Sequence, residues 1–367
     1  MAELLTQYEN LIAETKSIRK LVNCPETYID FSSNDYLGLA RNNAVIEAGC
    51  AAAQAYGAGS TGSRLLSGNK SLFIEFEAMI ARDKKTEAAL IFNSGFQANS
   101  GVLECLSDKN TTVIFDKLNH ASMYHGIFAS GANLFRFNHL DYDHLEAILK
   151  KENTNRCLIV SETVFGMDGD SADLQTLSDL SQRYDTLLYL DEAHATGLYG
   201  ENGYGLSTNY ALNPETTLIM GTLSKAIGSS GAYIASSCFM QNYLIQKCKS
   251  FIYSTVLSPF CIGAAMCSWD LIPSLANVRV NLLRRTQDLR NDLQRCGIGV
   301  KGMGTNIVLI PCEGVESMLK IKDKCMKNGI IVSGITRPTS PTPRIRIALC
   351  AHHTSKDVEK LIQALIS

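Results

Sequence analysis

Between about residues 45 and 240, short apolar runs alternate with stretches whose apolar residues recur at helical spacing. The short runs are rich in Leu, Ile, Val and aromatic residues, which is typical of strands. They are Ala89–Phe92, Thr112–Phe115, Leu134–Phe137, Leu158–Val160, Leu187–Leu190, Leu218–Met220 and Ala232–Ala235. Strands that alternate with helices form a largely parallel sheet with helices on both faces. The sequence therefore predicts an α/β fold.

The two ends of the chain have different patterns. An apolar stripe that includes Leu4, Tyr8 and Leu11 predicts a helix from residue 3 to about residue 22. After Pro259 the chain is mainly helical to about residue 295, and strand-like runs and a final helix follow. These patterns predict an N-terminal helix and arm (1–44), a large α/β domain (45–270) and a smaller α+β domain (271–367).

Charge and cysteine content exclude several classes of protein. The chain has 34 Lys and Arg residues against 36 Asp and Glu residues, so it has no basic excess for binding nucleic acid. Apolar runs such as Ala88–Phe92 are far shorter than the roughly 20 residues that span a bilayer, and we see no signal peptide. The 12 cysteines are scattered singly without zinc-ligand spacing, which predicts reduced thiols, no metal site and a cytoplasmic location.

Polar residues follow the predicted strands, at the sheet edge where α/β proteins bind ligands. Lys225 lies between an apolar strand and a stretch of small residues, where a lysine loses its proton more easily and can form a Schiff base. Asp191, at the end of another strand, can pair with a protonated pyridine nitrogen. Taken singly, Lys225 would be a solvated surface lysine and Asp191 a helix cap. Their combination favours a catalytic site.

Other candidate residues also follow strands. His120 and His194 could be structural, or could stack on a cofactor ring or donate a hydrogen bond to it. Asn93–Gln97 opens an apparent helix after a strand and is suited to bind a phosphate, with Thr222 and Ser224 as a second hydroxyl source. Gly57–Gly62 matches the dinucleotide pattern, but a helical stretch precedes it, so that match is weak.

Arg344 and Arg346 point to the same face of a predicted strand. The two arginines form either an exposed basic face or a clamp on a substrate carboxylate. In the second interpretation, the smaller domain closes over the cofactor.

Eight motifs combine these residues. They begin at Phe31 (Phe-Ser-Ser-Asn-Asp-Tyr-Leu-Gly), Gly57 (Gly-Ala-Gly-Ser-Thr-Gly-Ser-Arg), Asn93 (Asn-Ser-Gly-Phe), Asn119 (Asn-His-Ala-Ser), Met167 (Met-Asp-Gly-Asp-Ser-Ala-Asp-Leu), Asp191 (Asp-Glu-Ala-His), Gly221 (Gly-Thr-Leu-Ser-Lys) and Ile252 (Ile-Tyr-Ser-Thr). From about Phe31 to the C-terminus the chain resembles the fold-type-I, pyridoxal-phosphate-dependent α-oxoamine synthases. The resemblance implies a large domain with a mostly parallel sheet and a smaller C-terminal α+β domain.

The resemblance also implies roles for individual residues. Lys225 matches the lysine that binds the cofactor covalently, Asp191 the partner of the pyridine nitrogen, and His120 the residue that stacks on the ring. The remaining matches to cofactor contacts are His194, Thr222, Gly95 and Phe96. Thr255 matches a hydroxyl that reaches the phosphate of the neighbouring subunit, which implies a homodimer with shared active sites. Matches on the substrate side are His120, Asn34, Thr339, Arg346 and Arg19.

The implied reaction joins an amino acid to an acyl thioester with loss of CO2. The motifs at Gly57 and Met167 are most similar to those of members that condense L-alanine with a pimeloyl thioester of CoA or acyl carrier protein. Siblings that use glycine with acetyl-CoA, glycine with succinyl-CoA, or L-serine with palmitoyl-CoA are the alternative. A non-catalytic homologue is expected to have lost Lys225 or Asp191, and this chain has both. A hydrolase requires a Gly-x-Ser-x-Gly elbow after a strand, and we find none in the sequence.

Two positions depart from the family pattern. Gly166 stands where relatives usually have a serine, so a hydroxyl near the cofactor is missing. The segment between the first helix and Phe31 is also shorter than usual. Arg19, which lies before this segment, is the residue that matches an N-terminal arginine of the family that contacts the acyl substrate.

Overall fold

A seven-stranded sheet forms the centre of the protein in a computed structural model, which describes residues 2–13, 21–152, 156–337 and 339–366. Its strands are β2 (Ala88–Phe92), β3 (Thr112–Asp116), β4 (Asn133–Phe137), β5 (Cys157–Glu162), β6 (Leu187–Asp191), β7 (Thr217–Thr222) and β8 (Ala232–Ser236). The spatial order is β2-β8-β7-β6-β5-β3-β4. Only β8 among them runs antiparallel to its neighbours, β2 and β7.

Helices cover both faces of this sheet. The helices of the protein are α1 (Ala2–Ala13), α2 (Asn43–Tyr56), α3 (Ser71–Lys84), α4 (Gly95–Leu106), α5 (Ala121–Ser130), α6 (Tyr142–Glu152), α7 (Leu174–Arg183), α8 (Cys238–Lys247), α9 (Lys249–Ile252), α10 (Pro259–Leu271), α11 (Ala276–Arg295), α12 (Val315–Lys327) and α13 (Ser355–Ile366). Alternate residues of one strand pack on opposite sides: Leu90 lies with α4, and Ile91 lies with α3 and α10. The predicted largely parallel α/β sheet, covered on both faces, is confirmed.

A second, smaller core lies at the C-terminal end of the chain. Its antiparallel sheet has the order β11-β12-β9, with β9 at Ile307–Pro311, β11 at Ser333–Ile335 and β12 at Arg344–Ala348. A short β1 (Ile29–Asp30) pairs in parallel with β10 (Ile330–Ile331). Phe31 and Tyr36 are therefore buried in this core together with residues of α11, α12 and α13. The domain boundaries at residues 44 and 270 remain a prediction.

The sequence pattern predicts a helix to about residue 22, and the structure describes α1 over Ala2–Ala13. Leu21 and Val22, at the end of the predicted range, belong to no helix. Both side chains are largely exposed, so the end of the apolar stripe gains no tertiary packing that would extend a helix. Arg19 lies outside the described residues.

One helical stretch of the described chain, Pro259–Arg295, is long and apolar enough to cross a membrane by length and composition alone. It consists of α10 and α11, joined by a 3₁₀ turn at Ile272–Leu275. Ile262 and Trp269 of α10 are fully buried in the core shared with α3. Apolar residues of this stretch therefore pack in the protein core. We did not predict this long apolar stretch from the sequence.

Candidate active site

A cavity of about 240 Å³ opens at the carboxyl ends of the central parallel strands. Residues from β5, β6 and β7, and from the loops that follow them, form its floor. It is lined by Ser94, Gly95, Phe96, Asn99, His120, Ser122, Glu162, Asp191, Ala193, His194, Met220, Thr222, Ser224 and Lys225. Seven residues that the sequence singled out as cofactor contacts therefore lie together: Gly95, Phe96, His120, Asp191, His194, Thr222 and Lys225.

The carboxylate of Asp191 is held in a fixed orientation at the end of β6. Its Oδ1 accepts a hydrogen bond from the Ala193 backbone N–H (2.8 Å), and its Oδ2 accepts one from Asn99 Nδ2 (2.8 Å). Asn99 in turn accepts a hydrogen bond from the Tyr189 hydroxyl (2.8 Å). Asp191, Asn99 and Tyr189 are all buried, so this chain of hydrogen bonds is rigid. Asn99 and Tyr189 lack any motif signal and were missed in the sequence.

The amine of Lys225 is available for chemistry. Burial lowers the pKa of Lys225 from 10.5, against the opposing effect of Asp191 and Glu162, and Arg346 adds to the decrease. Among the described residues the amine has no hydrogen-bond partner. A lysine with a lowered pKa and a free Nζ is suited to form a Schiff base.

Glu162, at the end of β5, is a site residue that we did not predict from the sequence. It is buried in the cavity wall and lies beside Asp191, its partner in the β5–β6 register. Burial and the nearby charge of Asp191 raise the pKa of Glu162 well above 4.5. Burial therefore favours the protonated form of this carboxyl group. The signal in the sequence was its position directly after a strand, the same signal as for Asp191.

His194 is a buried, neutral ring that contacts a hydrogen-bond network of Tyr36, Asn34 and Arg346. Its Nδ1 lies 2.7 Å from the Tyr36 hydroxyl. Burial, with the charges of Lys225 and Arg346, holds the pKa of His194 well below 6.5. Arg346 Nη2 donates to Asn34 Oδ1 (3.0 Å) and to the Tyr36 hydroxyl (3.3 Å). Asn34 and Arg346, predicted on the substrate side, do not line the cavity but are connected to it through Tyr36 and His194.

His120 caps α5 at the mouth of the cavity. Its Nδ1 accepts from the Ser122 backbone N–H (3.2 Å) and lies 2.7 Å from the Ser122 hydroxyl. Burial lowers the pKa of His120 from 6.5, although Asp191 opposes the decrease. The hydrogen bonds hold the imidazole at the rim, where it lines the cavity.

The backbone N–H groups at the start of α4 are suited to bind an anion. Ser94 caps the helix by accepting from Gln97 N–H (3.1 Å). A Cβ at Gly95 would lie 2.7 Å from Thr222 Cγ2, so only glycine brings this helix end so close to β7. Free backbone N–H groups at a helix start bind phosphate.

Three predicted residues lie elsewhere in the described chain. Thr255 and Thr339 are exposed and do not line the cavity. The Thr255 carbonyl accepts from Asn93 Nδ2 (2.6 Å), close to the start of α4. Arg344 does not form a clamp with Arg346, because its Nη1 donates to Asp168 Oδ1 (2.7 Å) and to the Met167 carbonyl (2.9 Å). That clamp interpretation is wrong for Arg344.

A cluster of three potential metal ligands, Cys350, His352 and His353, lies in the smaller core. Both ring nitrogens of His353 are used: Nδ1 accepts from Cys350 N–H (3.0 Å), and Nε2 donates to the Asp30 carbonyl (3.1 Å). His353 therefore has no lone pair left for a metal ion.

Gly166 leaves room for the ring of His194. A Cβ at this position would lie 2.0 Å from His194 Nε2, so the ring occupies the space that a serine would need. We expect Gly166→Ser to displace the ring and break its hydrogen bond with Tyr36, lowering kcat about tenfold for the loss of one buried hydrogen bond. Overpacking should also lower the free energy of unfolding by about 1–3 kcal/mol. Steady-state kinetics and thermal unfolding measure the two effects.

The matched control for this change is Gly299→Ser, because a Cβ at Gly299 meets nothing within 4 Å. If Gly166→Ser kept both the turnover and the melting temperature of the Gly299 control, the ring would be free to move aside, contrary to our expectation.

A charged triad supports the loop that contains Gly166. His139 Nδ1 lies 3.0 Å from Asp116 Oδ1, and its Nε2 lies 3.1 Å from Asp170 Oδ2. Burial opposes the charge on His139, but the hydrogen bonds to Asp116 and Asp170 outweigh burial and raise the pKa of His139 from 6.5 to about 10. The ring is therefore protonated at neutral pH.

The raised pKa of His139 predicts how stability depends on pH. The protonated ring stabilises the folded state in full below pH 6.5, and this contribution is lost as the pH rises to about 10. We expect the free energy of unfolding to decrease across this range, and His139→Gln to flatten the decrease. Urea unfolding at a series of pH values measures it, with exposed His125→Gln as the control. If the free energy of unfolding decreased with pH equally steeply in the wild type and in His139→Gln, the decrease would not come from His139.

Comparisons with known proteins agree with this geometry. The model of the family "Aminotransferase class I and II" matches residues 26–365. A protein of Paramagnetospirillum magneticum, named "Putative 8-amino-7-oxononanoate synthase", is 42% identical over 347 residues, 92% of this chain and 88% of that protein. A protein of the same name from Bacillus cereus strain Q1 is 39% identical over 98% of this chain and 92% of its own length.

Two solved structures have the same fold. Serine palmitoyltransferase from S. paucimobilis superposes with a TM-score of 0.92 at 25% identity, covering 99% of this chain and 97% of the enzyme. The 8-amino-7-oxononanoate synthase of Francisella tularensis superposes with a TM-score of 0.81 at 26% identity, covering 93% of this chain and 98% of the enzyme. The chain belongs to the aminotransferase class I and II family and is a fold-type-I, pyridoxal-phosphate-dependent acyltransferase related to the 8-amino-7-oxononanoate synthases.

Proposed function

We propose that the protein condenses L-alanine with a pimeloyl thioester, of CoA or acyl carrier protein, to give 8-amino-7-oxononanoate, CO2 and free thiol in the biosynthesis of biotin. The observation that carries the reaction class is the Lys225 amine, which has no hydrogen-bond partner in the described part of the chain, in one cavity with the fixed carboxylate of Asp191. The choice of substrates is supported by the names of the relatives and by the motifs at Gly57 and Met167.

The donor set of the cavity fits pyridoxal phosphate. Lys225 would hold the cofactor covalently, Asp191 would face its ring nitrogen, and His120 would lie on its ring. His194 and Thr222 would contact the ring substituents, and Gly95 and Phe96 at the start of α4 would hold the phosphate. When bound, the cofactor supplies an electron sink for the carbanion formed at the substrate Cα.

The residues of the chain then handle the protons of the reaction. The Lys225 amine would act as the base that removes the Cα proton of the amino acid and would return a proton after CO2 has left. The Asp191 carboxylate would keep the ring nitrogen of the bound cofactor protonated through a charge-assisted hydrogen bond. Glu162, whose pKa is raised by burial and by Asp191, lies beside Asp191 in the cavity wall.

The substrate side is formed by the network that His194 connects to the cavity. Arg346 uses Nε for the Gly166 carbonyl (2.7 Å) and Nη2 for Asn34 and Tyr36. Its Nη1 makes no hydrogen bond with the described residues, so it remains available for a carboxylate. We assign Arg346 and Asn34, with His120, to substrate binding. Thr339 and Arg19 are assigned to the acyl chain from the resemblance alone.

We further propose a cytoplasmic homodimer that shares its active sites. Thr255, assigned to the phosphate, lies outside the cavity of its own chain, so a second copy must supply its hydroxyl. Large apolar side chains near this segment are exposed, among them Leu66 and Tyr253, each 82% exposed. Burial of such residues between two copies would remove apolar surface from water.

A sibling α-oxoamine synthase is the second candidate, because the fold superposes closely on serine palmitoyltransferase. The deciding experiment titrates the cofactor-loaded protein with L-alanine, glycine and L-serine and follows the visible absorption. Each amino acid is then combined with pimeloyl-CoA, pimeloyl acyl carrier protein, acetyl-CoA, succinyl-CoA and palmitoyl-CoA, with mass spectrometry of the products. Formation of 8-amino-7-oxononanoate from L-alanine is the expected result. A product from glycine or L-serine alone would assign the protein to a sibling.

A further inference from the structure

A buried ion pair that the proposed reaction does not use lies behind the cavity. Lys84, the last residue of α3, pairs with Glu192, and both side chains are 0% exposed. Removing two charges from water is costly, and a buried pair is often no more stabilising than apolar residues of the same size. The contacts of this pair therefore need an explanation other than net stability.

Every polar atom of the pair is used. Lys84 Nζ donates to Glu192 Oε2, to the Tyr204 carbonyl (2.8 Å) and to the Ser207 hydroxyl (2.9 Å). Glu192 Oε1 accepts from the Ser207 backbone N–H (2.7 Å). Three segments meet at one point: the end of α3, the turn after β6, and the loop of residues 204–207. A fully satisfied buried network of this kind fixes a single arrangement of the segments that it joins.

Gly205 makes this close approach possible. Its φ is +112°, in the region that favours glycine. A Cβ at this position would lie 2.1 Å from Glu192 Oε2 and 2.7 Å from Lys84 Nζ. The loop backbone therefore packs directly on the pair and excludes other side chains from it.

The backbone of Glu192 organises the turn that contains His194. Its N–H donates to the Met220 carbonyl of β7 (2.7 Å), and its carbonyl accepts from Ala195 N–H (2.9 Å) and Thr196 N–H (2.8 Å). Asp191, the preceding residue, bonds to Asn99 instead of Lys84. Anchoring Glu192 from behind thus restrains the residues on either side of it that line the cavity.

We propose that Lys84 and Glu192 are positioning residues, which fix the turn Glu192–Thr196 and so orient the Asp191 carboxylate and the His194 ring toward the cofactor. Only the kinetic test of this inference rests on the proposed function. The spectroscopic test needs the bound cofactor but no substrate.

The test compares the cofactor-loaded wild type with Lys84→Met and Glu192→Gln. We expect the pH midpoint of the visible absorption to shift, and kcat to fall by about tenfold to a hundredfold as the site loses its alignment, with a smaller change in KM for L-alanine. The matched control is Lys85→Met, one residue further on, whose exposed side chain pairs with Glu201. It should keep the midpoint and the kcat of the wild type.

A merely structural role would give a different pattern. If the variants melted at lower temperature but kept the absorption midpoint and kcat of the wild type, the proposal would be overturned. Should Lys84→Met fail to fold, the double variant Lys84→Met/Glu192→Gln removes both charges together, and its midpoint decides in the same way. If the wild type did not act on L-alanine, the proposed function would fail, while the midpoint comparison would still decide on the pair.

Discussion

Lys225→Ala is expected to lower turnover at least about ten-thousandfold, because in the proposed mechanism one side chain supplies both the covalent link and the base. The cavity is lined by no second lysine among the described residues, so no other amine there can form the covalent link. Reduction with borohydride followed by mass spectrometry should show the cofactor attached to the wild-type chain and absent from the variant.

The fold should survive this substitution. Lys225 makes no hydrogen bond with the described residues, so its removal breaks no network, and the far-UV circular dichroism should be unchanged. Lys150→Ala, on the exposed side of α6 with a side chain 62% exposed, is the control and should keep full activity. Synthase activity that persisted in Lys225→Ala would refute the catalytic assignment.

Asp191→Asn should bind the cofactor but lower kcat by about a hundredfold to a thousandfold, the cost of losing one preorganised charged partner. Both carboxylate oxygens accept hydrogen bonds, from Ala193 N–H and from Asn99 Nδ2. An asparagine has only one acceptor oxygen, so its amino group must face one of these donors and a bond is lost. Steady-state kinetics and the cofactor content of the purified variant measure the result.

Two further variants sharpen this prediction. Asp191→Glu restores the charge but not the length, so it should recover part of the activity that Asp191→Asn loses. Asp179→Asn, an exposed residue of α7, controls for the loss of one negative charge and should act like the wild type. A kcat for Asp191→Asn within tenfold of the wild-type value would count against the pairing of Asp191 with the ring nitrogen.

The sequence predicted the fold class because the strand signal is local. Runs such as Leu187–Leu190 lie within observed strands, and the residues that follow them line the cavity. The antiparallel insertion of β8 between β2 and β7 was not predicted, since strand order depends on packing across the whole sheet.

The candidate site was predicted where a residue type carries the chemistry by itself, as for Lys225 and Asp191. Asn99 and Tyr36 were not recognised as parts of it, because an amide or a phenol acquires its role only from its partners in space. Glu162 was also passed over, since its charge state depends on burial. The meaning of Gly166 became visible only when the ring of His194 was seen in the space beside it.

The pairing of β1 with β10 has a consequence for the order of events during synthesis. Ile29 pairs with Ile330, roughly 300 residues later in the chain. At about 5–20 residues per second, the ribosome needs tens of seconds to produce that partner. The large sheet can form in the meantime, whereas the segment with Asn34 and Tyr36 must wait for the smaller core. The floor of the cavity can thus form before the network that contains Asn34 and Tyr36 is complete.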